Sequence, residues 1–69
     1  MERTPVDSSA VVSVGYDGSQ RTLELEYVDG DVYQYFDVPK ALYHALLDAP
    51  SIGQFVNTDI KGIFGYEKV

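Results

Sequence analysis

The 69-residue chain contains no cysteine and no tryptophan, a single histidine and only five basic residues. Without cysteine, neither a disulfide nor a thiolate metal site can staple the fold. A chain this short buries only about 60 % of its unfolded surface, so its stability rests on a few large side chains. The basic residues Arg3, Arg21, Lys40, Lys61 and Lys68 are scattered, and the net charge is −6. Tight nonspecific binding to nucleic acid needs many Lys and Arg contacts to phosphate, so the charge runs against it. An acidic surface suits a protein that avoids membranes or meets a basic partner protein. No apolar run approaches the roughly 18 residues of a membrane span. Met1-Glu2-Arg3-Thr4-Pro5 lacks the character of a signal peptide, so the expected location is the cytoplasm. No glycine spacing matches a phosphate-binding loop.

Aromatic residues are what the chain does have: six tyrosines and three phenylalanines, each able to bury roughly 150–250 Å². Residues 27–39 organise the rest. Asp29-Gly30 lies between two runs of aromatic and β-branched residues, a hairpin signal. Pro39 then stops the strand and opens a helical pattern. Upstream, residues 1–7 read as a loose lead-in, Ala10 to Tyr16 as a first strand and Asp17-Gly18-Ser19-Gln20 as a turn. In the next strand Leu23, Leu25 and Tyr27 alternate with Thr22, Glu24 and Glu26, the period of a half-buried strand.

The register of the hairpin decides where the tyrosines go. A two-residue turn at Asp29-Gly30 places Tyr33 and Tyr35 on the wet face beside Glu24 and Glu26. A three-residue loop with Gly30 left-handed in a bulge places them with Leu23, Leu25 and Tyr27. The bulge register separates apolar from charged side chains more cleanly and is the expected one, with Val32 and Phe36 on the outer face as its cost.

Beyond it, Val38, Leu42, Ala45, Leu46 and Ala49 form a helical stripe opposite Lys40, His44 and Asp48, with Asp37 placed to cap. Pro50 ends this helix. Ser51-Ile52-Gly53-Gln54 has the form of a capping box for a second, burying Ile52, Phe55, Val56 and Ile60. The expected fold is α+β: a three-stranded antiparallel meander followed by two short helices packed on one face, with Ile63, Phe64 and Tyr66 of the tail either packing or adding a short C-terminal edge strand. Residues 1–69 form a single domain in this reading.

No catalytic constellation emerges. His44 sits on a solvent face, Glu24 and Glu26 read as a solvated strand face rather than a cation site, and Ser8-Ser9 has no base in the pattern. No catalytic residue, metal or cofactor is expected, and the chain is read as a non-enzyme. Asn57, a mediocre helix former four residues before Lys61, is a candidate for capping or ligand contact. Tyr16, Tyr33 and Tyr35 are candidates for a sheet platform on which RNA bases stack; that platform requires the two-residue register.

In order, Ser8-Ser9, Gly15-Tyr16-Asp17, Leu23-x-Leu25-x-Tyr27, Asp29-Gly30, Val32-Tyr33-x-Tyr35 and Val38-Pro39 resemble the KTSC domain. Ala49-x-Ser51-x-Gly53-x-Phe55-Val56-Asn57-x-x-Ile60-Lys61 continues the match. That short module is named for its place at the C-terminus of some lysyl-tRNA synthetases and also stands alone in bacterial and phage proteins. The resemblance puts the family's central Tyr-x-Tyr on Tyr33 and Tyr35 and implies association with RNA or tRNA. Lys61 stands where the family more often has Arg, and Phe64 where it more often has Tyr. Lysine lacks the planar fork with which arginine holds phosphate. The expected function is a small binding module contacting RNA or tRNA through Tyr33, Tyr35, Lys61 and Lys68. The alternative is an acidic protein-interaction module, imitating nucleic acid towards a basic partner.

Overall fold

The computed structural model describes residues 1–69. A five-stranded antiparallel sheet has its strands in sequence order: β1 (Arg3–Pro5), β2 (Val11–Asp17), β3 (Thr22–Tyr27), β4 (Val32–Tyr35) and β5 (Tyr66–Lys68). Between β4 and β5 run α1 (Lys40–Asp48) and α2 (Ile52–Phe55), which continues into a π-helical turn (Val56–Ile60). The α+β expectation holds, but a three-stranded meander understates the sheet. The C-terminal edge strand is present, and part of the segment read as a lead-in pairs with β2 as an opposite edge. Two polar residues and a proline carry no strand signature of their own. Pro5 is tolerated because an edge strand leaves one side unpaired.

The β3–β4 hairpin takes the bulge register. Leu23 faces Tyr35, Leu25 faces Tyr33 and Glu24 faces Gln34. The Tyr27 amide donates to the Asp31 carbonyl and the Gly30 amide to the Tyr27 carbonyl, both at 2.9 Å. Gly30 has φ 94°, a left-handed conformation that glycine adopts without steric cost. A bulge in β2 between Val11 and Ser13 does similar work: it turns Val12 outward and lets both Val11 and Val14 reach the core. Leu23, Leu25 and Tyr35 on the inner face pack with Val38, Leu46, Ile52, Val56 and Ile60 from the helical layer.

Val38 is held from both sides: its amide donates to the Arg21 carbonyl at 2.9 Å and its carbonyl accepts from the Tyr16 hydroxyl at 2.6 Å. The expected cap at Asp37 is not formed. Asp37 turns the chain with φ 62°, a left-handed geometry that Asp tolerates, and α1 starts after Pro39 with no side-chain cap. At the second start the Ser51 half of the expected capping box is formed, its hydroxyl accepting from the Gln54 amide at 3.3 Å. No helix is long and apolar enough to cross a membrane.

On the outer face Arg3 crosses Gly15, its pairing partner, to reach the Glu24 carboxylate at 3.4 Å. Gln34 donates to the other Glu24 oxygen, and Ser13 to Glu26, each at 2.9 Å. The absent side chain at Gly15 makes this crossing possible, since a Cβ there would lie 2.7 Å from the Glu2 carbonyl oxygen. Gly15→Ala is expected to lift β1 and cost about 1–3 kcal/mol, measured by urea denaturation.

Candidate functional site

The inner face is not covered along its whole length. Beyond the helical layer, near the β3–β4 turn, it opens into a cleft of about 730 Å³ lined by Tyr27, Tyr33, Tyr35 and Tyr66, with Asp29, Asp31 and Lys61 among the other walls. Strand alternation puts Tyr27, Tyr33 and Tyr35 here, and β5 adds Tyr66 by pairing it with Tyr35. Lys61 arrives from the end of the π turn; Gly62, with φ 78°, follows it along the wall.

The rings form one connected cluster. Tyr27 meets Tyr33 edge-on at 5.5 Å between centroids, and Tyr66 lies 5.6 Å from Tyr33 and 5.9 Å from Tyr35. Tyr35 is buried, Tyr27 and Tyr33 are half-buried, and Tyr66 is 62 % exposed. The Lys61 ammonium sits 5.0 Å from the centre of the Tyr27 ring, a cation–π contact. Lys68 pairs with Asp31 at 3.3 Å.

Deeper in, the Tyr27 and Tyr35 hydroxyls share a hydrogen bond of 2.8 Å. Burial, and for Tyr27 also the bond to Tyr35, raises the pKa of both above the ordinary tyrosine value. Tyrosine is uncharged below its pKa, so the folded chain holds these protons at a pH where the unfolded chain, with values near ~10, releases them. The associated stability is fully present below about pH 10 and is lost as pH rises through the raised native values. The melting temperature is expected to fall from about pH 10 upward, and to fall less steeply in Tyr27→Phe. A pH-independent melting temperature across that range would contradict the buried hydroxyl pair.

Of the residues singled out in the sequence, Tyr33, Tyr35 and Lys61 share the cleft, and Lys68 reaches its edge through Asp31. Asn57 does not join them; it is exposed on the π turn. The wet-face platform is corrected by the register. Tyr16 stacks instead on Tyr43 of α1, with centroids 5.0 Å apart and planes 11° apart. Sequence reasoning missed Tyr27 and Tyr66 as lining residues. Tyr27 carried a signal, lying on the face chosen for Tyr33 and Tyr35. Glu24 and Glu26 belong to the outer face, where Arg3, Ser13 and Gln34 satisfy them. No group of three or more His, Asp and Glu side chains is placed to hold a metal ion.

The KTSC domain family model matches residues 7–64. The chain belongs to the KTSC domain family. A KTSC domain protein of Yersinia pestis, known from its crystal structure, superposes with a TM-score of 0.96 at 38 % identity, covering 99 % of this chain and 96 % of that one. A protein of Tsukamurella paurometabola is 42 % identical over 60 residues, 87 % of this chain and 90 % of its own length. The lysine–tRNA ligase of Trichormus variabilis is 38 % identical over 63 residues, which are 91 % of this chain but 11 % of the ligase. The KTSC domain thus occurs both as nearly a whole small protein and as a minor part of a large enzyme.

Proposed function

We propose that this KTSC domain is a non-enzymatic module that binds single-stranded RNA, such as the loops and ends of tRNA, in its tyrosine cleft. The observation that carries the reading is the convergence of Tyr27, Tyr33, Tyr35 and Tyr66 with Lys61 in one opening. Unstacked bases find aromatic faces there, and base–aromatic stacking contributes about 1–3 kcal/mol per base. Lys61, with Lys68 at the edge, supplies phosphate contact. The similarity to a lysine–tRNA ligase adds the class of RNA. With two cations and a net charge of −6, the module binds weakly by itself. Attachment to an enzyme that holds the same RNA raises its effective concentration and makes such a site useful.

A second reading is a protein-interaction module, favoured by Asp29 and Asp31 at the cleft, where a basic segment of a partner protein meets rings and carboxylates together. Fluorescence anisotropy of labelled tRNA and labelled single-stranded RNA, at low and physiological salt, separates the two. RNA binding is expected to weaken with salt along a shallow slope, roughly −0.7 per phosphate contact. No binding even at low salt overturns the RNA reading and leaves a basic protein segment as the partner to seek.

A further inference from the structure

The hydrogen-bonding groups around the cleft are unequal in kind. Asp29 and Asp31 line it as carboxylates, which when ionised only accept hydrogen bonds. One Asp29 oxygen accepts the Asp31 amide at 2.9 Å and one Asp31 oxygen meets Lys68 at 3.3 Å. The second oxygen of each has no partner in the protein. The Tyr27 and Tyr35 hydroxyls spend one O–H on each other, leaving a single O–H to donate. The Tyr33, Tyr66 and Ser9 hydroxyls in the wall can donate or accept, and the charged donor there is the Lys61 ammonium. The two carboxylates are the side chains in this wall that can only accept, so beside the aromatic faces they select a flat group that carries N–H donors.

We infer that the cleft selects guanine among the RNA bases, its N1–H and N2–H groups donated to the carboxylate of Asp29 or Asp31, whose bonded oxygen keeps a second lone pair, while the ring stacks on Tyr66 and Tyr33. The inference rests on the RNA reading and adds a base preference to it. Guanine presents two adjacent donors on its Watson–Crick edge, which a carboxylate can accept together. Its acceptors O6 and N7 lie toward the major-groove edge and need not meet a carboxylate. Uracil presents one N–H between two carbonyl oxygens, and those oxygens would face carboxylates. Adenine and cytosine each offer an amino group next to a ring acceptor, so only one of two contacts is made. Tyr66, the most exposed ring of the cluster, leaves a face on which the base can lie.

The test uses short labelled uridine oligoribonucleotides carrying G, A, C or U at one central position, titrated at low salt with the wild-type chain, Asp29→Asn and Asp31→Asn. Asparagine retains the side-chain oxygen that accepts at the turn, and a melting curve for each variant confirms the fold. The G-containing strand is expected to bind roughly 5- to 150-fold more tightly than the all-U strand, the range for one good bidentate contact to a base. At least one Asn variant is expected to lower affinity for the G strand while leaving or raising affinity for the U strand. Equal binding of the four strands, or uniform tightening of all four in the Asn variants, shows that the carboxylates only repel phosphate; this overturns the guanine inference and leaves the RNA reading standing. Failure of every strand to bind overturns both.

Discussion

Tyr35→Ala is expected to cost about 3–5 kcal/mol in a urea melt, the range for deleting a large aromatic ring from a core. The ring is 2 % exposed and packs in the cluster that joins the sheet to the helical layer. At 0.05–0.15 kcal/mol per residue, a chain of this length has roughly 3–10 kcal/mol of total stability. The substitution therefore brings the domain close to unfolding at room temperature. Tyr35→Phe keeps the ring and gives up the 2.8 Å bond to Tyr27, at an expected cost of about 1 kcal/mol. The contrast between the two variants places the large term in burial. A Tyr35→Ala domain as stable as wild type would contradict the register, since the two-residue turn is the arrangement that puts this ring in water.

Tyr66→Ala is expected to do the opposite: little to stability and much to binding. Its ring is 62 % exposed, and the lost cross-strand neighbour on β4 contributes only about 0.2–1 kcal/mol. Removal of one stacking face is expected to weaken single-stranded RNA binding by roughly 5- to 150-fold, corresponding to about 1–3 kcal/mol per base. Lys61→Ala acts by a different route, flattening the salt dependence by about 0.7 of a log unit per log unit of salt for one lost phosphate contact. Anisotropy at two salt concentrations distinguishes the stacking loss from the charge loss. Unchanged affinity in Tyr66→Ala would remove the cleft from the binding account.

The parts of the fold legible in the sequence are those where local chemistry and packing agree. Asp29-Gly30 and the alternation of Leu23, Leu25 and Tyr27 with Glu24 and Glu26 favour the register that puts the tyrosines with the apolar set on the inner face and Gln34 with the glutamates on the outer one. Ser51 and Gln54 announce a helix start on their own. Asp37 misled because a residue suited to capping is equally suited to a left-handed turn, and Pro39 already supplies the helical start. Residues 3–5 were illegible as a strand because their pairing depends on a distant glycine, Gly15, and on a guanidinium reaching two glutamates. The cleft was half legible. Tyr33, Tyr35 and Lys61 stood out as aromatic or charged residues in a suggestive order. Asp29 and Asp31 come with the β3–β4 turn itself, whereas Tyr66 joins only through the return of β5 to β4, a long-range event that no local spacing encodes.

The central claim is that the tyrosine cleft is where RNA binds, and its most direct test is amide chemical-shift mapping of the isotopically labelled chain during titration with a single-stranded oligoribonucleotide at low salt. Shifts are expected to concentrate at Tyr27 to Tyr33 and at Lys61 to Lys68, with the outer-face residues Ser13, Glu24 and Gln34 unmoved. Shifts confined to α1 or to the outer face, or none at all, would contradict the claim.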